Sequence, residues 1–144
     1  MNILIQCIIS YIGLLPYIYC LIDIYFLEYL SPIILLNIML YNTLLIFTFI
    51  GAINWDFGKG TIFLTIYGFI PSLISFGIII FSILGFDQMI LFTYLILFLL
   101  IQLCIDYLIY LRKKANSFII YYLRIPVTFS LCLFLFIPLV ITPN

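Results

Sequence analysis

The sequence predicts an all-α integral membrane protein, a bundle of five transmembrane helices. Three observations carry that expectation. Apolar residues make up 68% of the chain and charged residues 7%, against roughly 45–50% and 25% in ordinary soluble domains. Five apolar runs approach or exceed the length of about 20 residues that a helix needs to cross the hydrocarbon core. The few charges fall mainly between those runs, and they segregate by sign. At 144 residues, with a mean hydropathy of +1.44, the chain has too little interior to hide so much apolar surface from water. Lipid must be its solvent, and residues 1–144 form one membrane domain.

The first helix is expected over about 3–21 and carries Gly13 and Pro16. The segment from Ile22 to Pro32 holds Asp23 and Glu28 and is expected to lie in an interface. The second helix, over 33–53, follows Pro32, a residue suited to a first helical turn. Asn37, Asn42, Thr43 and Thr48 line it. Asn42 falls at mid-membrane, where a bond to another helix is the preferred reading and a ligand role the weaker one.

Asn54 to Gly60 (NWDFGKG) reads as an exit turn, since a polar pair is followed by Gly58 and Gly60. The third helix is expected over 61–84. Pro71 within it removes one backbone hydrogen bond, so a kink is expected, with Ser72 or Ser75 satisfying the freed groups. Gly68, Ser72, Ser75 and Gly77 suit close helix packing; a broken-helix substrate site is the sharper but weaker reading. Gly85-Phe86-Asp87 makes the next turn. The fourth helix is expected over 89–111, the loop Arg112-Lys113-Lys114-Ala115-Asn116-Ser117 follows, and the fifth spans 118–141 with Pro126 and Pro138 near its ends.

Charge then sets the expected orientation. Five spans put the N-terminus, the 54–60 turn and the 112–117 loop on one side, which receives Lys59, Arg112, Lys113 and Lys114. The opposite side receives Asp23, Glu28 and Asp87 and no basic residue. Basic residues stay on the side of synthesis, so the N-terminus is expected in the matrix or cytoplasm and the C-terminus across the membrane.

Two charges fall inside helices. Asp106 lies about five residues before the end of the fourth helix and Arg124 about six into the fifth, at similar depth. A lone charge at the centre of the hydrocarbon costs roughly 2.5–3.5 kcal/mol on insertion scales, less near the interface. Contact between the two would remove most of that penalty, so an Asp106–Arg124 pair clamping helices four and five is expected. The competing readings are a proton or ion relay, and an Arg124 that snorkels to the surface.

Other chemistry lacks residues. The chain has no histidine, hence no usual haem ligand or proton shuttle. Cys7, Cys20, Cys104 and Cys132 are widely separated within apolar runs and read as small apolar groups. Five basic and five acidic residues leave no net charge to attract nucleic acid. No phosphate loop, nucleophile–base pair or metal spacing occurs, so no catalytic, cofactor-binding or metal residue is predicted, and bound lipid is the expected small-molecule company. Trp55 and the tyrosines near helix ends fit an aromatic belt.

The choice among apolar residues adds a different kind of information. Ala occurs only at 52 and 115 and Val only at 127 and 140, whereas Ile, Leu, Phe and Tyr dominate. AT-rich coding accounts for this bias. Together with the hydrophobicity and the lack of a recognisable presequence, it leads to the expectation of a protein encoded and made inside a mitochondrion.

Several strings, in order, resemble the small membrane proteins related to transmembrane protein 69, a bacterial and mitochondrial family of unknown function. They are Gly13-Leu14-Leu15-Pro16-Tyr17, Tyr41 followed by Gly51-Ala52-Ile53-Asn54-Trp55-Asp56, Pro71-Ser72-Leu73, Asp106, and Leu123-Arg124. Asn54 stands where the family pattern has His, and Asp56 where it has Gly. The resemblance implies a divergent five-helix protein of a bacterial or mitochondrial inner membrane, and it supplies no activity. The Asn54, Trp55, Asp56 turn is expected to dock a partner, because any role needing an imidazole falls away.

The expected function is therefore a non-catalytic accessory subunit of a mitochondrial inner-membrane respiratory-chain complex. Its expected partners are lipids and other integral membrane subunits. The alternatives are a small transporter or channel component, a quinone-proximal anchor subunit and an assembly factor.

Overall fold

The computed structural model describes residues 8, 10–52, 62–113 and 120–141; for 112, 113 and 141 it describes the backbone alone. Of the described residues 91% are helical, none lies in a strand, and five helical stretches are long and apolar enough to cross a membrane. This is an all-α bundle of five spans.

The first span, Ser10–Leu27, contains α1 (Leu15–Ile22), opened by Pro16, and continues through a wider π-helical turn, Asp23–Leu27. Here the helix runs further than the sequence reading, which ended it near residue 21 and read the segment holding Asp23 and Glu28 as interfacial. The helix runs on, and Asp23 is fully buried. The cause lies in its acceptors. One carboxylate oxygen takes the Tyr29 N–H at 3.3 Å and the other the Leu30 N–H at 3.0 Å, while the Asp23 carbonyl takes the Glu28 N–H at 2.8 Å. Backbone donors that leave a helix inside lipid have no water to bond, so an inward acid is the group that satisfies them. Glu28, at φ 54° in the left-handed region, turns the chain.

α2 (Pro32–Ala52) starts where the Ser31 carbonyl accepts the Ile34 and Leu35 N–H groups at 3.0 and 3.2 Å. It is the most buried span and packs against α1, α3 and α4. α3 (Ile62–Ile83) lies along it. Pro71 stands inside α3 without ending it.

α3 closes on Gly85, whose φ of 81° is open to glycine at no steric cost. The Gly85 N–H bonds the Ser82 carbonyl and the Phe86 N–H the Phe81 carbonyl, while the Phe81 and Phe86 rings meet edge to face at 5.0 Å. This Schellman closure satisfies helix-end carbonyls and adds an apolar contact. Asp87 then opens α4 (Gln88–Lys113), its carboxylate accepting the Met89 N–H at 3.0 Å.

A second π-helical turn, Ile120–Arg124, leads into α5 (Ile125–Ile141). Buried positions on α4 recur as Phe92, Leu95, Leu99, Gln102 and Asp106, a 3-4-3-4 spacing. On the fifth span they recur as Ile120, Arg124, Thr128, Leu131 and Leu135. These are the seams of an antiparallel helix pair. Leucine fills the seam over most of its length, and polar residues replace it at the Asp106 end. The outer faces carry exposed Ile, Leu and Phe throughout, such as Phe26, Leu45, Phe49 and Ile83, as lipid solvent requires.

Candidate functional site

The polar end of the α4–α5 seam is the candidate site. Asp106 and Arg124, only 6% and 7% exposed, face each other there with Arg124 Nη2 3.0 Å from Asp106 Oδ2. The same Nη2 donates to the Ile50 carbonyl at 3.1 Å, in the last described turn of α2. The other carboxylate oxygen, Asp106 Oδ1, accepts from the buried Tyr67 hydroxyl of α3 at 2.9 Å. That hydroxyl also lies 3.2 Å from the Gln102 carbonyl, so two acceptors share its proton. One cation, one anion, one phenol and one backbone carbonyl thus tie four spans together.

Each helix presents its member for a local reason. Gln102 and Asp106 are one turn apart and share the inward face of α4. Arg124 ends the π-helical turn before α5. Ile50 reaches the site because α2 and α3 approach very closely beside it. A Cβ added at Gly51 would lie 2.7 Å from Pro71 Cγ and 2.9 Å from the Gly68 carbonyl oxygen. Pro71, read from sequence as a kink, is the surface against which Gly51 packs.

The electrostatics follow from this geometry. The pair is neutral as a unit, each carboxylate oxygen meets a donor, and both side chains are withdrawn from solvent and lipid. Hydrogen bonds to charged groups are about twice as strong as neutral ones, and more so where the dielectric is low. One atom in the vicinity is left over: Gln102 Nε2, buried without a hydrogen-bond partner.

The remaining polar groups also join helices. The fully buried Thr43 hydroxyl donates to the Met39 carbonyl at 2.7 Å, so the Tyr17 hydroxyl, 2.8 Å away, donates to Thr43. Tyr17 stacks on Phe134 of α5 with centroids 5.6 Å apart. Asn42 reaches the Gly13 carbonyl of the first span at 3.5 Å, and Gln88 bonds Asn37 at 2.6 Å. Ser75, read from sequence as a repair for Pro71, bonds α2 instead: it accepts from Thr48 at 2.9 Å and donates to the Leu44 carbonyl at 3.4 Å.

The structure therefore brings Asp106 and Arg124 together. Asn54, Trp55, Asp56 and Lys114 lie outside the described residues, and Arg112 and Lys113 close α4 with only their backbone described. Sequence reasoning missed Tyr67, Gln102 and the Ile50 carbonyl. Gln102 carried a usable signal, being a second polar residue one turn before Asp106 in an otherwise apolar helix. Among the described residues, no group of three or more His, Cys, Asp or Glu side chains could hold a metal ion.

Five apolar spans joined through buried polar groups define a multi-pass membrane protein. Comparison with known proteins takes that class no further: no family profile, no curated protein and no solved structure matches the chain.

Proposed function

We propose that the protein is a non-catalytic accessory subunit of a mitochondrial inner-membrane respiratory-chain assembly. The observation that supports this reading is the engagement of Asp106 and Arg124 with each other and with α2 and α3. A relay residue needs a route to water. Asp106 and Arg124 are instead nine-tenths withdrawn and committed to neighbouring helices, which favours a clamp. In this reading the chain is a divergent relative of the transmembrane protein 69-like proteins, and its basic residues keep the N-terminus in the matrix. The partner-docking surface is then the matrix face around Asn54, Trp55 and Asp56.

Native purification in mild detergent, with mass spectrometry of co-migrating subunits, tests this. Stoichiometric recovery with respiratory-chain subunits is the expected result. Migration as a lone protein, or with an unrelated set of partners, would overturn it.

One observation favours a small transporter or channel component as the second reading. Gln102 Nε2 is a buried donor with no partner one turn from Asp106, a place where a passing polar species could bond. Ion or solute flux in vesicles containing the protein alone would decide for this reading.

A further inference from the structure

Three tyrosines on the lipid-facing side of the α4–α5 hairpin form a cluster that the clamp does not use. Tyr107 and Tyr110 are three residues apart on α4, their ring centroids 6.1 Å apart and their planes 37° apart. Tyr121, in the π-helical turn before α5, sets its ring at 85° to Tyr110 with a centroid separation of 6.1 Å. The Tyr121 side chain also interacts with that of Tyr107. Tyr107 is 36% exposed and Tyr121 49%, so ring surface is open to the surroundings. The cluster sits at the end of the hairpin where α4 runs on through Arg112 and Lys113.

We propose that Tyr107, Tyr110 and Tyr121 bind the quaternary ammonium of a choline lipid headgroup at the membrane boundary. Aromatic faces carry negative electrostatic potential, and rings set at steep angles to one another present it to a cation from more than one side. The chemistry also selects among cations. The carboxylate next to Tyr107 in the chain, Asp106, is neutralised by Arg124 at 3.0 Å, so it is not free to bind a strongly hydrated cation such as an ammonium or a metal ion. Ring faces alone suit a cation that loses little hydration on contact, and a trimethylammonium is that cation. This inference rests on the membrane-spanning fold and not on the respiratory-chain reading.

The test uses the full chain in a maltoside detergent, equilibrated with equimolar phosphatidylcholine and phosphatidylethanolamine of identical acyl chains. Native mass spectrometry counts the retained lipid. The two headgroups have the same net charge and differ only in the methyl groups on nitrogen. Retention of phosphatidylcholine is expected to exceed that of phosphatidylethanolamine about two- to fivefold, from a cation–π contribution of that order at exposed sites. Tyr121→Phe keeps the ring and is expected to keep the preference, whereas Tyr121→Leu and Tyr110→Leu lower it towards unity. Equal retention of the two lipids by the unsubstituted protein overturns the proposal, as does a Tyr121→Phe variant that loses the preference. Should a leucine variant fail to fold, those two measurements still decide.

Discussion

Removing the two clamp charges singly and together should give very different costs. Arg124→Leu leaves the Asp106 carboxylate buried without its cation and the Ile50 carbonyl without the guanidinium that it accepts from at 3.1 Å. Breaking a buried pair by removing one partner costs about 3–5 kcal/mol in soluble proteins. The lower end applies here, because insertion scales price a lone charge at roughly 2.5–3.5 kcal/mol even at mid-membrane. We therefore expect about 3 kcal/mol. Asp106→Leu should cost somewhat less, about 2 kcal/mol, because Arg124 keeps the Ile50 carbonyl and has a long stem with which to reach the interface. The double variant, Asp106→Leu with Arg124→Leu, removes both charges and leaves Tyr67 its bond to the Gln102 carbonyl at 3.2 Å. Among the described contacts, the Ile50 carbonyl alone then lacks its donor, at about 1–2 kcal/mol. The singles sum to about 5 kcal/mol and the double to about 1–2, a coupling of about 3–4 kcal/mol, at the upper end for residues in one network. Reversible unfolding in mixed micelles, read by far-UV circular dichroism, measures all three. A double variant as unstable as the sum of the singles would refute the clamp. A stable double variant that assembles normally yet abolishes a function of its complex would show that the pair does more than hold helices.

Two further outcomes follow from close contacts elsewhere. Gly51→Ala should destabilise by about 1–3 kcal/mol through overpacking, since its Cβ would meet Pro71 Cγ at 2.7 Å and the Gly68 carbonyl at 2.9 Å; Gly77→Ala, which meets nothing within 4 Å, should be neutral or stabilising by up to about 1 kcal/mol from helix propensity, so equal effects of the two on Tm would count against the packing described for α2 and α3. Asp23→Ala should cost about 1–3 kcal/mol by orphaning the Tyr29 and Leu30 N–H groups, with Asp23→Asn intermediate because one oxygen acceptor remains; hydrogen exchange at those two amides is the direct readout, and unchanged protection in Asp23→Ala would exclude the capping role.

The five spans were legible because they depend on composition and length, which lipid imposes on every residue of a segment. Asp106 and Arg124 were legible as partners because a short hairpin fixes their relative depth. Tyr67 was not. Twelve tyrosines occur in the chain, and nothing in their local sequence tells a lipid-facing ring from one whose hydroxyl reaches a carboxylate 39 residues away. The Ile50 carbonyl was beyond reach for a related reason, since every residue carries a carbonyl and only helix packing chooses one. The burial of Asp23 was not legible, because acids commonly mark the end of a membrane helix by facing outward. There it does mark a reversal of the chain, but from the inside, by bonding the backbone that follows. Asn42 was legible as a helix-joining group, although which helix it would find was not.

The parts of the clamp are also made in a fixed sequence. Ile50, Tyr67 and Asp106 all leave the ribosome before Arg124 does. A chain halted in that interval has presented the Asp106 acid to the bilayer before its Arg124 partner is synthesised. Emergence of the fifth span supplies that partner and joins the span to α2 through the Ile50 carbonyl. Insertion of the fifth span is thereby a physical event within the membrane, the one at which a buried acid gains its neutralising cation.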